Sequence, residues 1–151
     1  MAFRPVLIVS AVAALAACSG EEPAAKGSSG TIQVTDAVCR PSAPGRRMAL
    51  CFMTLTANRP DTLVSASSPL AGRASVQDVP YENGMMVIQP RTAALSLPAG
   101  QPVPLAPGGQ TVALQGLRTP LLAGQTTAIT LTFGTSSPVE VVVPVEAEPA
   151  A

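Results

Sequence analysis

The strongest constraint on the fold is the rhythm of the chain. From residue 31 onward no helix-length stretch repeats its apolar residues at a spacing near 3.6; short β-prone runs alternate with turn clusters instead. Strands are expected at 31–40, 47–57, 62–67, 73–79, 84–90, 94–97, 102–105, 110–117, 127–134 and 138–145. Breaks fall at Pro41 to Gly45, Asn58-Arg59-Pro60-Asp61, Pro69 to Gly72, Glu82-Asn83-Gly84, Pro98 to Gly100, Pro107-Gly108-Gly109, Ala123-Gly124 and Ser136 to Pro138. Many short strands at this spacing imply an all-β antiparallel sandwich or barrel in one domain, residues 31–146, followed by a loose tail at 147–151. Glu82-Asn83-Gly84 is the sharpest hairpin signal.

The first residues read as an address. Arg4 supplies a short positive region, and Val6 to Ala17 is an apolar run of about a dozen residues, too short to span a bilayer comfortably. Residues 1–17 are therefore expected to be a signal peptide. The run ends in Leu15-Ala16-Ala17-Cys18, which is similar to a bacterial lipobox and implies lipidation of Cys18. Ser19 after that cysteine implies an outer-membrane destination facing the periplasm. Residues 18–30 are small, polar and rich in Gly, Ser and Pro, as a flexible tether would be.

Cys39 and Cys51 remain. Beyond the inner membrane the compartment is oxidising, which favours a disulfide. A hairpin pairing 39 with 51 centres its turn on Gly45 and sets Val38 opposite Phe52 and Ala37 opposite Met53. A redox pair, a thiolate metal site or two free thiols are the alternatives.

What is missing excludes more. The chain has no His, so no His-dependent nucleophile, general base or His-containing zinc site can form. The only lysine, Lys26, lies in the tether, which removes a buried Ser-Lys pair. Equal numbers of basic and acidic residues, 9 each, with 3% aromatics, argue against nucleic acid. No enzyme is expected.

Several separated segments carry a resemblance. They are Leu63 to Arg73, Glu82-Asn83-Gly84-Met85-Met86, Leu97-Pro98-Ala99-Gly100, Leu105 to Gly109, and Leu114 to Leu121. In this order the stretch from Asp36 to Val145 resembles the periplasmic copper chaperones of the PCu(A)C family. The resemblance implies a cupredoxin-like Greek-key β-sandwich that holds Cu(I) with His and Met and passes it to copper enzymes, notably cytochrome oxidase. It also implies where the ligands would stand. The first His falls on Gln77, the first Met on Ile88, and the His-x-Met pair on Thr111 and Ala113. None of the four is a soft donor, and Cu(I) prefers sulfur and imidazole.

The resulting expectation is a lipid-anchored envelope protein with a degenerate copper site, no cofactor, and a binding or assembly role toward an envelope protein partner. One alternative is a working chaperone that holds Cu(I) through a rebuilt Met/Cys site. Met86 shares a strand face with Ile88 and is the better candidate there; Met85 points away from it. The other alternative is a thiol-disulfide redox protein using Cys39 and Cys51. Asp78 and Glu82 flank Tyr81 and could face each other across a turn, although a solvated hairpin tip is the simpler reading. Asp36, Asp61 and Glu140 receive no role.

Overall fold

The computed structural model describes residues 30–43 and 45–148. The signal peptide at 1–17, Cys18 and nearly all of the tether lie outside the described residues, as do Pro44 and the last three positions. Among the described residues there is no helix. The strands are β1 (Ile32–Pro41), β2 (Met48–Ala57), β3 (Asp61–Ser67), β4 (Ala71–Asp78), β5 (Tyr81–Glu82), β6 (Met85–Met86), β7 (Gln89–Pro90), β8 (Leu95–Leu97), β9 (Pro102–Leu105), β10 (Gln110–Leu117), β11 (Thr126–Phe133) and β12 (Val139–Pro144).

Ten of them form one antiparallel sheet with the order β1-β2-β10-β4-β3-β11-β12; β9 pairs with β2, β8 with β3 and β7 with β4. The sheet folds over on itself where β3 meets β4 at the single pair Ala66 and Ala74. Its outer strands nearly meet again, because Cys39 bridges Val145 and the Glu146 N–H donates to the Cys39 carbonyl at 2.9 Å. The sandwich expected from the sequence is thus almost a barrel. Alternation along the strands sends Leu55, Leu63, Leu114, Ile129, Leu131 and Val143 into the space between the layers, where all are buried.

The first hairpin adopts the expected register around the cysteines. Cys39 lies opposite Cys51 and Val38 opposite Phe52, and a disulfide joins the two cysteines. By closing a loop of this length the bridge contributes about 2–3 kcal/mol. The pairing of Ala37 with Met53 does not form. Thr35 still faces Thr54, so Asp36 and Ala37 together oppose Met53 in a β-bulge. Asp36 takes φ 54° there, a conformation that Asp tolerates better than most residues.

The expected strand at 84–90 is also replaced. That stretch holds two separate two-residue strands, β6 and β7. β6 closes a small hairpin on β5, with Tyr81 opposite Met86 and Glu82 opposite Met85. Asn83 and Gly84 both have positive φ, at 51° and 79°, as a two-residue hairpin turn with the correct twist requires. Val87 then donates to the Pro80 carbonyl, and the chain leaves the hairpin to pair Gln89 and Pro90 with β4. Pro90 and the tight turns deny this segment a long ladder.

Candidate functional site

The register of three adjacent strands, β2, β10 and β4, decides which residues share a face. Cys51, Val112 and Val76 align across β2, β10 and β4 and belong to the main core. One residue along, Leu50 aligns with Ala113, which aligns with Ser75. Thr111 lies directly opposite Gln77. The positions that the resemblance marks on β4 and β10, Gln77, Thr111 and Ala113, therefore lie on the outer face of the sheet, away from the disulfide.

That outer face carries a second small apolar cluster, Leu50, Phe52, Val79 and Ala113, with Val38 and Ile88 packed on it. Ile88 comes from the segment between β4 and β8, which folds back over the sheet. The Tyr81 ring of the same segment lies against Gly108, where a Cβ would come within 3.0 Å of it and where φ of 84° favours glycine. All four marked positions thus meet in one region.

Their chemistry is not that of a soft-metal site. Gln77 and Thr111 are buried, and the Gln77 amide donates to the Ser75 hydroxyl at 3.2 Å. The Gln77 Oε1 and Thr111 Oγ1 atoms have no hydrogen-bond partner among the described residues. Ala113 and Ile88 bring only hydrocarbon. These residues offer Cu(I) two oxygens and no sulfur or imidazole, a poor match to a soft cation. Among the described residues no group of three or more His, Cys, Asp or Glu is placed to hold a metal ion.

Beside this region a cleft of about 600 Å³ opens beneath the β1–β2 turn. Met48, Leu50, Phe52, Met86, Ile88 and Pro107 give it apolar walls. Arg40, Arg46, Tyr81 and Glu148 supply its polar groups. The Arg40 guanidinium lies 5.5 Å from the Phe52 ring centroid, at cation–π distance. A second cavity of about 420 Å³, lined in part by Pro120, Leu121 and Leu122, shares the same turn. Met86 does share its side of the segment with Ile88, whereas Met85 is 68% exposed and outside the cleft.

Asp78 and Glu82 do not pair across the turn, and Tyr81 and Glu82 are exposed, as the solvated hairpin tip requires. Asp78 and Glu82 each have other partners. Asp78 accepts from Arg91 at 3.1 Å and from Gln110 at 3.2 Å, while Glu82 accepts from Gln89 at 2.9 Å. Asp61, for which the sequence suggests no role, is the most constrained acid among the described residues. Buried at the start of β3, it accepts from the backbone N–H groups of Thr62, Thr135 and Ser136 at 2.7, 2.9 and 2.8 Å. Burial alone raises its carboxyl, but hydrogen bonds from Ser136, Thr62 and Thr135 outweigh that and lower it to about 2. The Ser136 hydroxyl itself makes no bond of good geometry, so the three backbone donors carry most of this effect.

The family model described as "Putative lipoprotein LpqE-like" matches residues 32–145, nearly all of the described chain. The chain belongs to the LpqE-like family. Within the curated proteins, this LpqE-like chain is similar to "Putative lipoprotein Lxx21020" of Leifsonia xyli subsp. xyli (strain CTCB07). The two are 29% identical over 147 residues, 95% of this chain and 89% of that one. Solved neighbours are PCuAC domains, as the resemblance implied. The apo PCuAC domain from PmoF1 superposes with a TM-score of 0.66 at 25% identity, covering 80% of this chain and 97% of that one. The copper-bound PCuAC domain from PmoF2 gives 0.63 at 28% identity, over 80% and 96%. Apo-DR1885 from Deinococcus radiodurans gives 0.56 at 26% identity, over 97% and 96%. The LpqE-like fold is therefore the all-β PCuAC fold.

Proposed function

We propose that this LpqE-like protein is an envelope lipoprotein whose PCuAC-like domain is a non-catalytic binding or assembly module that has given up the copper site. The observation that carries this reading is the side-chain set at Gln77, Ile88, Thr111 and Ala113, which share one region yet bring no soft donor. Titrating the full chain with Cu(I) against a competing chelator should leave the metal with the chelator. Submicromolar binding overturns the reading.

A second reading rests on one observation: Met48 and Met86 line the same cleft, and thioethers are good Cu(I) ligands. Should Cu(I) bind, loss of that binding in Met86→Ala assigns it to a rebuilt site. The redox reading has less support, because Cys39 and Cys51 are both fully buried on the core face, beyond reach of a partner thiol.

For location, the lipoprotein family and the Leu15-Ala16-Ala17-Cys18 sequence support attachment through Cys18, with Ser19 favouring the outer membrane of a double-membrane envelope and the domain facing the periplasm. Cys18→Ala should move the protein from the membrane fraction to the soluble fraction. Unchanged fractionation removes the anchor from the model of function.

A further inference from the structure

We propose that the cleft beneath the β1–β2 turn binds a carboxylate with a long apolar body, a fatty-acyl anion of about a dozen carbons. This deepens the reading of the domain as a metal-free binding module and rests on it. Three observations carry the inference.

The first is shape and lining. A cleft of about 600 Å³ is in the range that encloses a small organic ligand. Its walls are aliphatic, thioether and aromatic, and a second cavity of about 420 Å³ shares Pro41, Ser42, Ala43, Arg46, Met48 and Glu148 with it. Neighbouring cavities along one turn suit an elongated ligand better than a compact one.

The second is charge. Arg40 and Arg46 both line the cleft, and neither is ion-paired among the described residues. Glu148 stands there too but is exposed, so two guanidinium groups face one hydrated carboxylate. The balance selects an anion.

The third is the seating of Arg40. Its guanidinium lies 5.5 Å from the Phe52 ring centroid at the apolar wall, so a carboxylate bound by the guanidinium lays its alkyl chain over Leu50, Phe52, Ile88 and Met86. A neutral alcohol forgoes that charge-assisted bond, and a cationic amphiphile is repelled.

The test has a built-in reporter. Tyr81 is the only tyrosine, the chain has no tryptophan, and Tyr81 lines the cleft, so its fluorescence reads occupancy directly. The full chain carrying Cys18→Ala, which cannot bear lipid at that position, is titrated with octanoate, decanoate, dodecanoate, dodecanol and dodecyltrimethylammonium below their micelle concentrations. Dodecanoate should bind at least tenfold more tightly than dodecanol. Each two-carbon extension should tighten binding by up to about tenfold. Arg40→Gln with Arg46→Gln should remove the preference for the carboxylate while dodecanol binding persists, which separates lost recognition from lost folding. Met86→Glu, on an exposed strand, should abolish dodecanoate binding by placing a like charge at the wall.

Failure of every amphiphile to bind overturns the proposal, as does equal binding of acid and alcohol or preference for the ammonium compound. Binding of an apolar peptide through its free C-terminus in place of dodecanoate also overturns it and assigns the cleft to a protein tail. None of these outcomes depends on the copper titration, so the metal-free reading and the acyl-anion inference fail separately.

Discussion

Introducing Gln77→His, Ile88→Met, Thr111→His and Ala113→Met together should raise Cu(I) affinity until the chain competes with a submicromolar chelator. The expected gain is at least about a thousandfold, or about 4 kcal/mol. The reason lies in the scaffold. Thr111 and Gln77 are directly opposed across β10 and β4, Ala113 is two residues along on the same face, and Ile88 packs onto the cluster that contains Ala113. Two imidazoles and two thioethers at these positions would converge from three segments on a soft ion. Ala113 is fully buried, so a methionine there overpacks the outer cluster at a cost of about 1–3 kcal/mol. Thermal unfolding must therefore be followed beside the titration. A quadruple variant that stays folded and still leaves Cu(I) with the chelator would show that the positions do not converge as the register implies.

The second large effect concerns Asp61. Asp61→Ala should lower stability by about 2–4 kcal/mol at neutral pH, because three backbone N–H groups lose their acceptor in a buried setting. The melting temperature should drop by about 10 °C or more. The pH dependence has a definite sign. The folded-state value of about 2 lies below the ordinary 3.8, so the ionised carboxylate favours folding. Its contribution, about 2 kcal/mol, is complete above about pH 4 and is lost as pH falls through about 2. The gap between native and Ala variants should therefore narrow between pH 4 and pH 2. A constant gap across that range would mean that the charge of Asp61 is not what holds the turn. Asp61→Asn, which keeps one acceptor oxygen, should fall between the two.

The long strands were legible because each is a run of β-prone residues ended by Gly or Pro, a local signal. Cys39 and Cys51 were legible for the same reason: the turn between them fixes the register. The bulge at Asp36 was not, since an aspartate with positive φ looks like any other aspartate until its neighbours pair. The 84–90 stretch misled because its apolar residues suggest a strand, while its hydrogen bonds are divided between a hairpin and the edge of β4. Asp61 sits in a turn-like sequence, Asn58-Arg59-Pro60-Asp61, yet its decisive partners lie 74 and 75 residues away. The resemblance located the outer-face positions, but not the cleft. That cleft gathers side chains from β1, β2, the β5–β6 hairpin and Glu148, a grouping that exists only after folding.

The orientation of β1 has a consequence for where the preceding chain stands relative to the cleft. Gly30 enters at one end of this strand, beside Asn58 and Ser136, and Arg40 stands near the other end. Ten extended residues span about 30 Å. The chain therefore enters β1 at the end away from Arg40, so what precedes Gly30 in sequence joins the sheet about one strand length from the mouth of the cleft.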